Sequence, residues 1–440
     1  MSEPSQDILA ALNIADSFTL AMDEEIRQEG MAGSLCGIAL ALNQTPDINM
    51  LQQRIDKFGQ QFPVALASLQ QRGKRYFWCK RETPQPTLFY QHTNLETVSD
   101  LSFIKDTILG LINDRQARET IAPIEFHLIS DSAQTSFFIR WIHPFCDAKG
   151  IDLILKYLCT EDTTIFEQPE AKPLVNQQLD KYPWWKKILL LLKGKRYIAS
   201  IDKLESIQPF KMDKQPQQLN YATYKLNLEQ TDHVIKQARK QVGLTGTSLY
   251  YIGSLMRALD KMNPDSKGEA YCSPYAFNLR KQRAITPVIA NHVCALFSQA
   301  SREMVQDREK LFAHLKQQNM DVIRQQLDYA FLPLMWAGSW LSLDEYGKIL
   351  RLSSSGKERS SFWFSDVGKL DIPEHSFPGA EITDLSHLCQ VTTPPALAFL
   401  CCIYQNQLTL SYNFVEPLTN SEEIARLHQL IVAELLGEAE

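Results

Sequence analysis

Strand-like and helix-like segments alternate along both halves of this 440-residue chain, and a basic stretch with several prolines separates the halves. In the first half, the apolar run at 34–42 indicates a buried strand, and apolar side chains at helical spacing follow over 47–61. The second half resumes the alternation with LNYATYKLNL, near 219–228. Since 440 residues are too many for one compact core, the pattern predicts two α/β sandwiches of similar build.

The separating stretch sets the expected domain boundaries. Prolines and weak periodicity extend over about 174–218, so we place an N-terminal lobe at 1–180, a basic, aromatic linker at 181–216 and a C-terminal lobe at 217–440. The first residues lack a basic segment followed by an apolar one, which argues against a secretion signal. No uncharged apolar run reaches the length of a membrane span.

Charge and cysteine content narrow the function classes. A net charge of -6 argues against a nucleic-acid partner, because such proteins usually carry a basic footprint. The nine cysteines are scattered and form no CxxC pair, which is typical of reduced thiols in a cytoplasmic protein. The usual paired spacings of zinc ligands are missing, so no metal site is expected.

A histidine closes the second strand of a predicted hairpin. The strands IEFHLIS and TSFFIRWIHP flank the turn DSAQ, and His143 shares one strand face with Trp141 and Ile139. A short loop, PFCDAKG, leads from it into a helix. Neutral imidazole has an ordinary pKa near 6.5 and is suited to accept a proton near neutral pH. His143 is therefore the candidate general base.

The segment around this histidine, WIHPFCDAKG, resembles the HxxxD signature of the CoA-dependent acyltransferase superfamily, which includes chloramphenicol acetyltransferases and peptide-synthetase condensation domains. Similar segments follow in the family's order: YAFNLRKQR with Asn291 after it, FWFSDVGKL at 362–370, and the hairpin PPALAFLCCIYQNQLTLSYNF. The resemblance covers nearly the whole chain. Ile142 replaces the second histidine of many condensation domains, Ala148 the usual glycine, and Asp366 an asparagine common in the lipid-transferase branch.

The resemblance implies a fold, a reaction and a set of site residues. The fold would be two pseudo-symmetric chloramphenicol acetyltransferase-like lobes with an active-site tunnel between them. His143 would be the general base in moving an acyl group from a CoA or carrier-protein thioester to a hydroxyl or amine, with no bound cofactor. Asp147 would hold the loop through an ion pair with Arg280. The candidates for the oxyanion donor or tunnel wall are Ser365, Asn291 and Gly368.

Other interpretations stay open at this point. The second hypothesis is a free-standing condensation enzyme that forms an amide between carrier-bound substrates, and the third is a catalytically silent homologue that binds a carrier protein or lipid. His143 taken alone is a satisfied histidine at a strand end. Cys146 is expected to be a small buried residue rather than a nucleophile. His127, His292 and His387 carry no motif and are interpreted as core or surface residues.

The stretch 182–200, YPWWKKILLLLKGKRYIAS, has two interpretations. Residues 181–214 contain nine Lys or Arg and three acids, a composition suited to peripheral contact with the inner membrane face. The alternative is an interdomain helix that packs on the protein with its lysines in solvent. The apolar segment 327–343, with Pro333 inside, is likewise either an acyl-tunnel lining or a kinked core helix.

Overall fold

The structure is a computed structural model that describes residues 7–81, 88–93, 102–131, 133–166, 179–243, 246–280, 289–372 and 376–438. In chain order the strands are β1 (Ile8–Ala11), β2 (Leu35–Leu42), β3 (Ser68–Arg72), β4 (Arg75–Cys79), β5 (Leu88–His92), β6 (Ile124–Ser130), β7 (Thr135–Ile142), β8 (Gln218–Lys225), β9 (Ala270–Asn278), β10 (Val293–Ser301), β11 (Trp363–Lys369), β12 (Ile382–Cys389), β13 (Leu397–Tyr404) and β14 (Gln407–Glu416). The α-helices are α1 (Ile14–Gln28), α2 (Ile48–Gln61), α3 (Phe103–Ile112), α4 (Ala148–Cys159), α5 (Trp184–Ile201), α6 (Leu228–Val242), α7 (Thr247–Met262), α8 (Arg302–Gln306), α9 (Arg308–Arg324), α10 (Leu327–Gly338), α11 (Leu343–Arg351) and α12 (Ser421–Leu436).

The N-terminal lobe is built on a five-stranded sheet of order β12-β2-β7-β6-β5. Every residue of β6 and β7 is buried, because helices cover both faces of the sheet. On one face, Phe58 of α2 lies edge-on to Phe126, which stacks on Phe137. On the other face, α3 contacts β2 and β7. A strand that is buried on both faces of a sheet needs apolar residues on both, and the continuous apolar run of β2 meets this need.

The C-terminal lobe has a six-stranded sheet of order β10-β9-β11-β13-β14-β8. β11 runs parallel to both of its neighbours, and the other pairings are antiparallel. Helices α7 and α12 pack together, and buried residues such as Leu255, Phe399 and Tyr412 form a second core. A small sheet, β1-β4-β3, completes the strands of the described residues. The predicted two-lobed α/β fold is confirmed.

β12 departs from the boundaries expected from the sequence. It lies within the 217–440 range but pairs antiparallel with β2 of the N-terminal sheet, with Leu388 opposite Gly37. The sequence pattern did not predict this strand. Its insertion ties the lobes together and places the residues of β12 at their junction.

The expected linker contains a regular helix, α5, that packs on α10. Gly194 allows a close approach, since a Cβ atom there would lie 2.4 Å from Leu334 Cδ1. The Tyr197 hydroxyl bonds both the amide and the carbonyl of Phe297 in β10, at 3.0 Å each. α10 keeps Pro333 inside it, and Pro333 is buried, as a core helix requires. The sequence predicts Thr245 or Thr247 as the N-cap of α7. In the structure Gly246 is the N-cap residue, and Thr245 lies outside the described residues.

Candidate active site

A cavity of about 250 Å³ lies between the two lobes. The N-terminal lobe contributes Met22, Cys36 and His143 to its wall, and the C-terminal lobe contributes Tyr275, Cys294 and Ser365. Most of the lining is apolar, so a charged group inside it is poorly solvated. A compartment of this kind changes the protonation of any imidazole or carboxyl that it encloses.

His143 follows the last residue of β7 and is fixed by its backbone. Its amide donates to the Ser34 carbonyl at 2.9 Å, and its carbonyl accepts a 2.6 Å bond from Asn291 Nδ2. The ring atom Nδ1 is buried without a hydrogen-bond partner, and the residue lines the cavity. Burial lowers the pKa of His143 below 6.5, against the opposing effects of its own carbonyl and of Asp147. The imidazole is therefore neutral at pH 7 and can accept a proton.

Asp147 caps helix α4 and pairs with Arg280. Its Oδ1 accepts the Gly150 amide at 2.9 Å, while Oδ2 accepts Arg280 Nη1 at 2.7 Å and the His292 amide at 2.8 Å. Burial raises the pKa of Asp147, but the guanidinium and these donors outweigh burial and hold it below 3.8. Arg280 Nη2 also bonds the Ala290 carbonyl at 2.6 Å. The ion pair joins the His143 loop to the segment that follows β9.

Asn291 does not line the cavity, but it bonds the backbone of His143, which does. It is fully buried, and its Nδ2 donates both to the His143 carbonyl and to Asp16 Oδ1, at 3.1 Å. Burial raises the pKa of Asp16 to about 8, so this carboxyl is largely protonated at pH 7. The sequence analysis missed Asp16. The available signal is the capping box of α1, in which Asn13 precedes Asp16 by three residues.

The candidates on β11 differ in position. Ser365 lines the cavity, whereas Gly368 does not. Gly368 has φ +82° at a shift in the β11–β13 register, a conformation that glycine adopts without strain. Asp366 accepts the Gly368 amide at 2.9 Å and the Ser248 hydroxyl at 2.6 Å, which fixes this bulge against α7. Of the candidates Ser365, Asn291 and Gly368, only Ser365 lines the same cavity as His143.

A second imidazole, His387, lines the cavity from β12. His387 pairs with Ile38 of β2, and β2 lies between β12 and β7 in the sheet. Strand spacing and rise therefore put His387 roughly 15 Å from His143. Burial lowers its pKa to about 4, so it is neutral and can donate or accept a hydrogen bond. The sequence analysis assigned His387 no role, because only the insertion of β12 brings it to the cavity.

Cys146 lies in the loop after His143, next to the indole of Trp141. Burial raises the pKa of the Cys146 thiol well above its usual range, which disfavours a thiolate nucleophile. Trp141 Nε1 donates to the Cys146 carbonyl at 3.0 Å and fixes the loop.

Across the part of the chain that the structure describes, no three His, Cys, Asp or Glu side chains come together as a metal site. None of the described helices has the length and hydropathy to cross a bilayer.

Solved structures share this architecture, although no protein-family model and no curated protein matches the chain. The TRI3 trichothecene 15-O-acetyltransferase from Fusarium sporotrichioides has a TM-score of 0.69 at 12% identity, over 98% of this chain and 94% of that one. The first condensation domain of the calcium-dependent antibiotic synthetase has a TM-score of 0.70 at 10% identity, over 98% and 96%. The epimerization domain from the third module of tyrocidine synthetase B has a TM-score of 0.67 at 11% identity, over 99% and 98%.

These likenesses extend over whole chains and define the fold. The protein has the two-lobed fold of chloramphenicol acetyltransferase-like acyltransferases and condensation domains, which confirms the resemblance found in the sequence at the level of fold. Since the three solved proteins differ in reaction, fold alone does not select the chemistry, and the site must be argued from its own residues.

Proposed function

We propose that the protein is an acyltransferase that moves an acyl group from a CoA or carrier-protein thioester to a hydroxyl or amine. The supporting observation is His143, an imidazole kept neutral by burial and held at the wall of a cavity between two lobes. A neutral imidazole can take the proton of an attacking group, which contributes about 10²–10⁴-fold in rate. The fold is one that acetyltransferase and condensation domains use.

The proposed reaction conserves protons at each step. Nε2 of His143 takes the proton of the acceptor hydroxyl or amine as its oxygen or nitrogen bonds to the thioester carbonyl carbon. The tetrahedral intermediate then expels the sulfur, and the imidazolium returns the proton to that thiolate. The products are the acylated acceptor and a free thiol. Ser365, which lines the same cavity, is the proposed donor to the oxyanion.

The remaining site residues position the base. Asn291 holds the His143 carbonyl, and the Asp147–Arg280 pair fixes the loop that follows. Asp147 accepts three hydrogen bonds in this network, so we assign it no direct role in proton transfer. A catalytic base must stay within hydrogen-bond reach of its substrate, which explains why its backbone is fixed on two sides.

The second candidate function is amide formation between carrier-bound substrates. It is supported by the likeness to the condensation domain, and it uses the same base with an amine acceptor on a carrier. The two functions differ in the acceptor, so products distinguish them. A catalytically silent homologue would have the same fold without thiol release.

The test is thiol release from acyl-CoA and acyl-carrier donors, each with hydroxyl, free amine and carrier-bound amine acceptors. We expect His143→Ala to lower the rate by about 10²–10⁴-fold at an unchanged thermal midpoint. The matched control is His233→Ala, because His233 is exposed on α6, away from the cavity. Equal rates for wild type and His143→Ala would exclude the proposed base, and product mass spectrometry would separate ester from amide formation.

A further inference from the structure

Helix α5 exposes a row of large apolar side chains. Trp184 is 74% exposed and Leu189 is 58% exposed, values far from those of core residues. Trp185, Ile188 and Leu192 are exposed on the same helix. Together these five residues form what we call the α5 stripe. Isolated exposed apolar residues are common on proteins, but a contiguous patch usually marks an interaction site.

The stripe lies opposite the face by which α5 packs on the protein. The buried residues of the helix are Leu190, Gly194 and Ile201. At about 100° per residue, the centre of the stripe is rotated by roughly 180° from the centre of this buried face. The helix therefore has two separate apolar faces. Packing on α10 accounts for one of them and leaves the stripe exposed.

The charges of α5 are all positive. The sequence of the helix, WWKKILLLLKGKRYIASI, contains no acid, and its basic residues are Lys186, Lys187, Lys193, Lys195 and Arg196. Lys187 has one weak ion pair, 3.9 Å from Asp180, and Lys186 lies 4.6 Å from the Tyr182 ring centre. Both Lys195 and Arg196 are exposed. Such a surface attracts an anionic partner.

A groove next to the stripe adds a place for a polar anion. It has a volume of about 730 Å³ and lies between α5 and α9. Leu189 and Leu192 of the stripe line it, together with Lys193 and Arg196. His314 and the single acid Asp321 line the far side. Apolar and cationic groups thus meet along one edge of the helix.

We propose that α5 docks the protein on an anionic membrane, with the helix in the plane of the interface and the stripe in the acyl region. Tryptophan is favoured at that depth, and lysine stems reach from it to the headgroups. An exposed apolar helix face with basic residues around it has the pattern of an interfacial helix. A second copy of this chain is disfavoured as the occupant, because pairing two such helices brings like charges together. This surface is separate from the acyl-transfer cavity, so the proposal stands without the proposed reaction.

Co-sedimentation of the full chain with vesicles tests this docking. One vesicle set contains phosphatidylcholine alone, and the other adds phosphatidylserine. We expect binding to the acidic vesicles that weakens with added salt, together with a blue shift of tryptophan fluorescence. Changing both Lys195→Gln and Arg196→Gln should lower the partition coefficient about 25-fold, or about fivefold for each basic residue.

A matched pair of variants tests the apolar contribution of the α5 stripe. Leu189→Glu places a charge in the stripe, whereas Leu228→Glu changes a leucine of equal exposure, 59%, at the start of α6. Only Leu189→Glu should abolish vesicle binding, and both should keep the wild-type thermal midpoint because neither side chain is in the core. Absence of binding to either vesicle set overturns the proposal. So does equal binding by the two variants, or a wild-type dimer in solution that Leu189→Glu dissociates.

Discussion

Replacing Arg280 by alanine removes the guanidinium 2.7 Å from a carboxylate whose side chain is only 4% exposed. Loss of one member of a buried ion pair costs about 3–5 kcal/mol. Asp147 keeps the amides of Gly150 and His292 as donors, so we expect the lower end, about 3 kcal/mol. Asp147→Ala also removes the N-cap of α4, which adds about 1 kcal/mol and gives about 4 in total.

The double variant measures the pair itself. Once the carboxylate is gone, the loss of Arg280 should cost little more, so the double variant should lose about 4 kcal/mol rather than the sum of about 7. Urea denaturation and thermal midpoints of the four proteins give the coupling free energy. The control is Lys236→Ala, which breaks an exposed pair with Asp232 and should cost about 0.5 kcal/mol or less.

The pH dependence gives an independent check. The network lowers the pKa of Asp147 in the folded protein below its ordinary value of 3.8, so its stabilisation is present above that value and is lost as pH falls through the folded pKa. The stability difference between wild type and Arg280→Ala should stay constant near neutral pH and shrink only in acid. Additive single-variant losses, or an Arg280→Ala protein as stable as wild type, would refute the assignment of this pair as the support of the loop.

Three further predictions concern the candidate active site. Asn291→Ala removes the donor to the His143 carbonyl and should lower kcat about tenfold with little change in KM. The free energy of unfolding should fall by about 1–3 kcal/mol. An unchanged kcat contradicts this positioning role. In a pH profile of kcat/KM, activity should rise as His143 loses its proton, with a midpoint below 6.5 because burial lowers its pKa; a midpoint above 6.5 argues against this base. His387→Phe should raise KM for donor or acceptor about tenfold through a lost hydrogen bond and leave that midpoint in place; equal KM values for every substrate exclude contact.

Local sequence patterns determined most of the secondary structure. The spacing of apolar residues predicted α2 closely: the expected range was 47–61, and the helix spans Ile48–Gln61 after the N-cap Asp47. Alternation along TSFFIRWI and the loop after it placed His143 at a strand end, as observed. Each of these patterns depends on residues within one segment, where backbone geometry fixes which side chains share a face. The order of motifs along the chain then gave the two-lobed fold through its resemblance.

The tertiary structure alone decided which distant segments meet. β12 enters the N-terminal sheet opposite β2, about 350 residues earlier in the chain, and this pairing carries His387 to the cavity. Asp16 reaches Asn291 in the same way, across 275 residues. The sequence of the basic stretch allowed both an internally packed helix and an exposed one. The coordinates show that α5 packs by one face and exposes the other. Such contacts depend on how whole elements pack and on which strand edges are free, and no periodicity within a single segment contains that information.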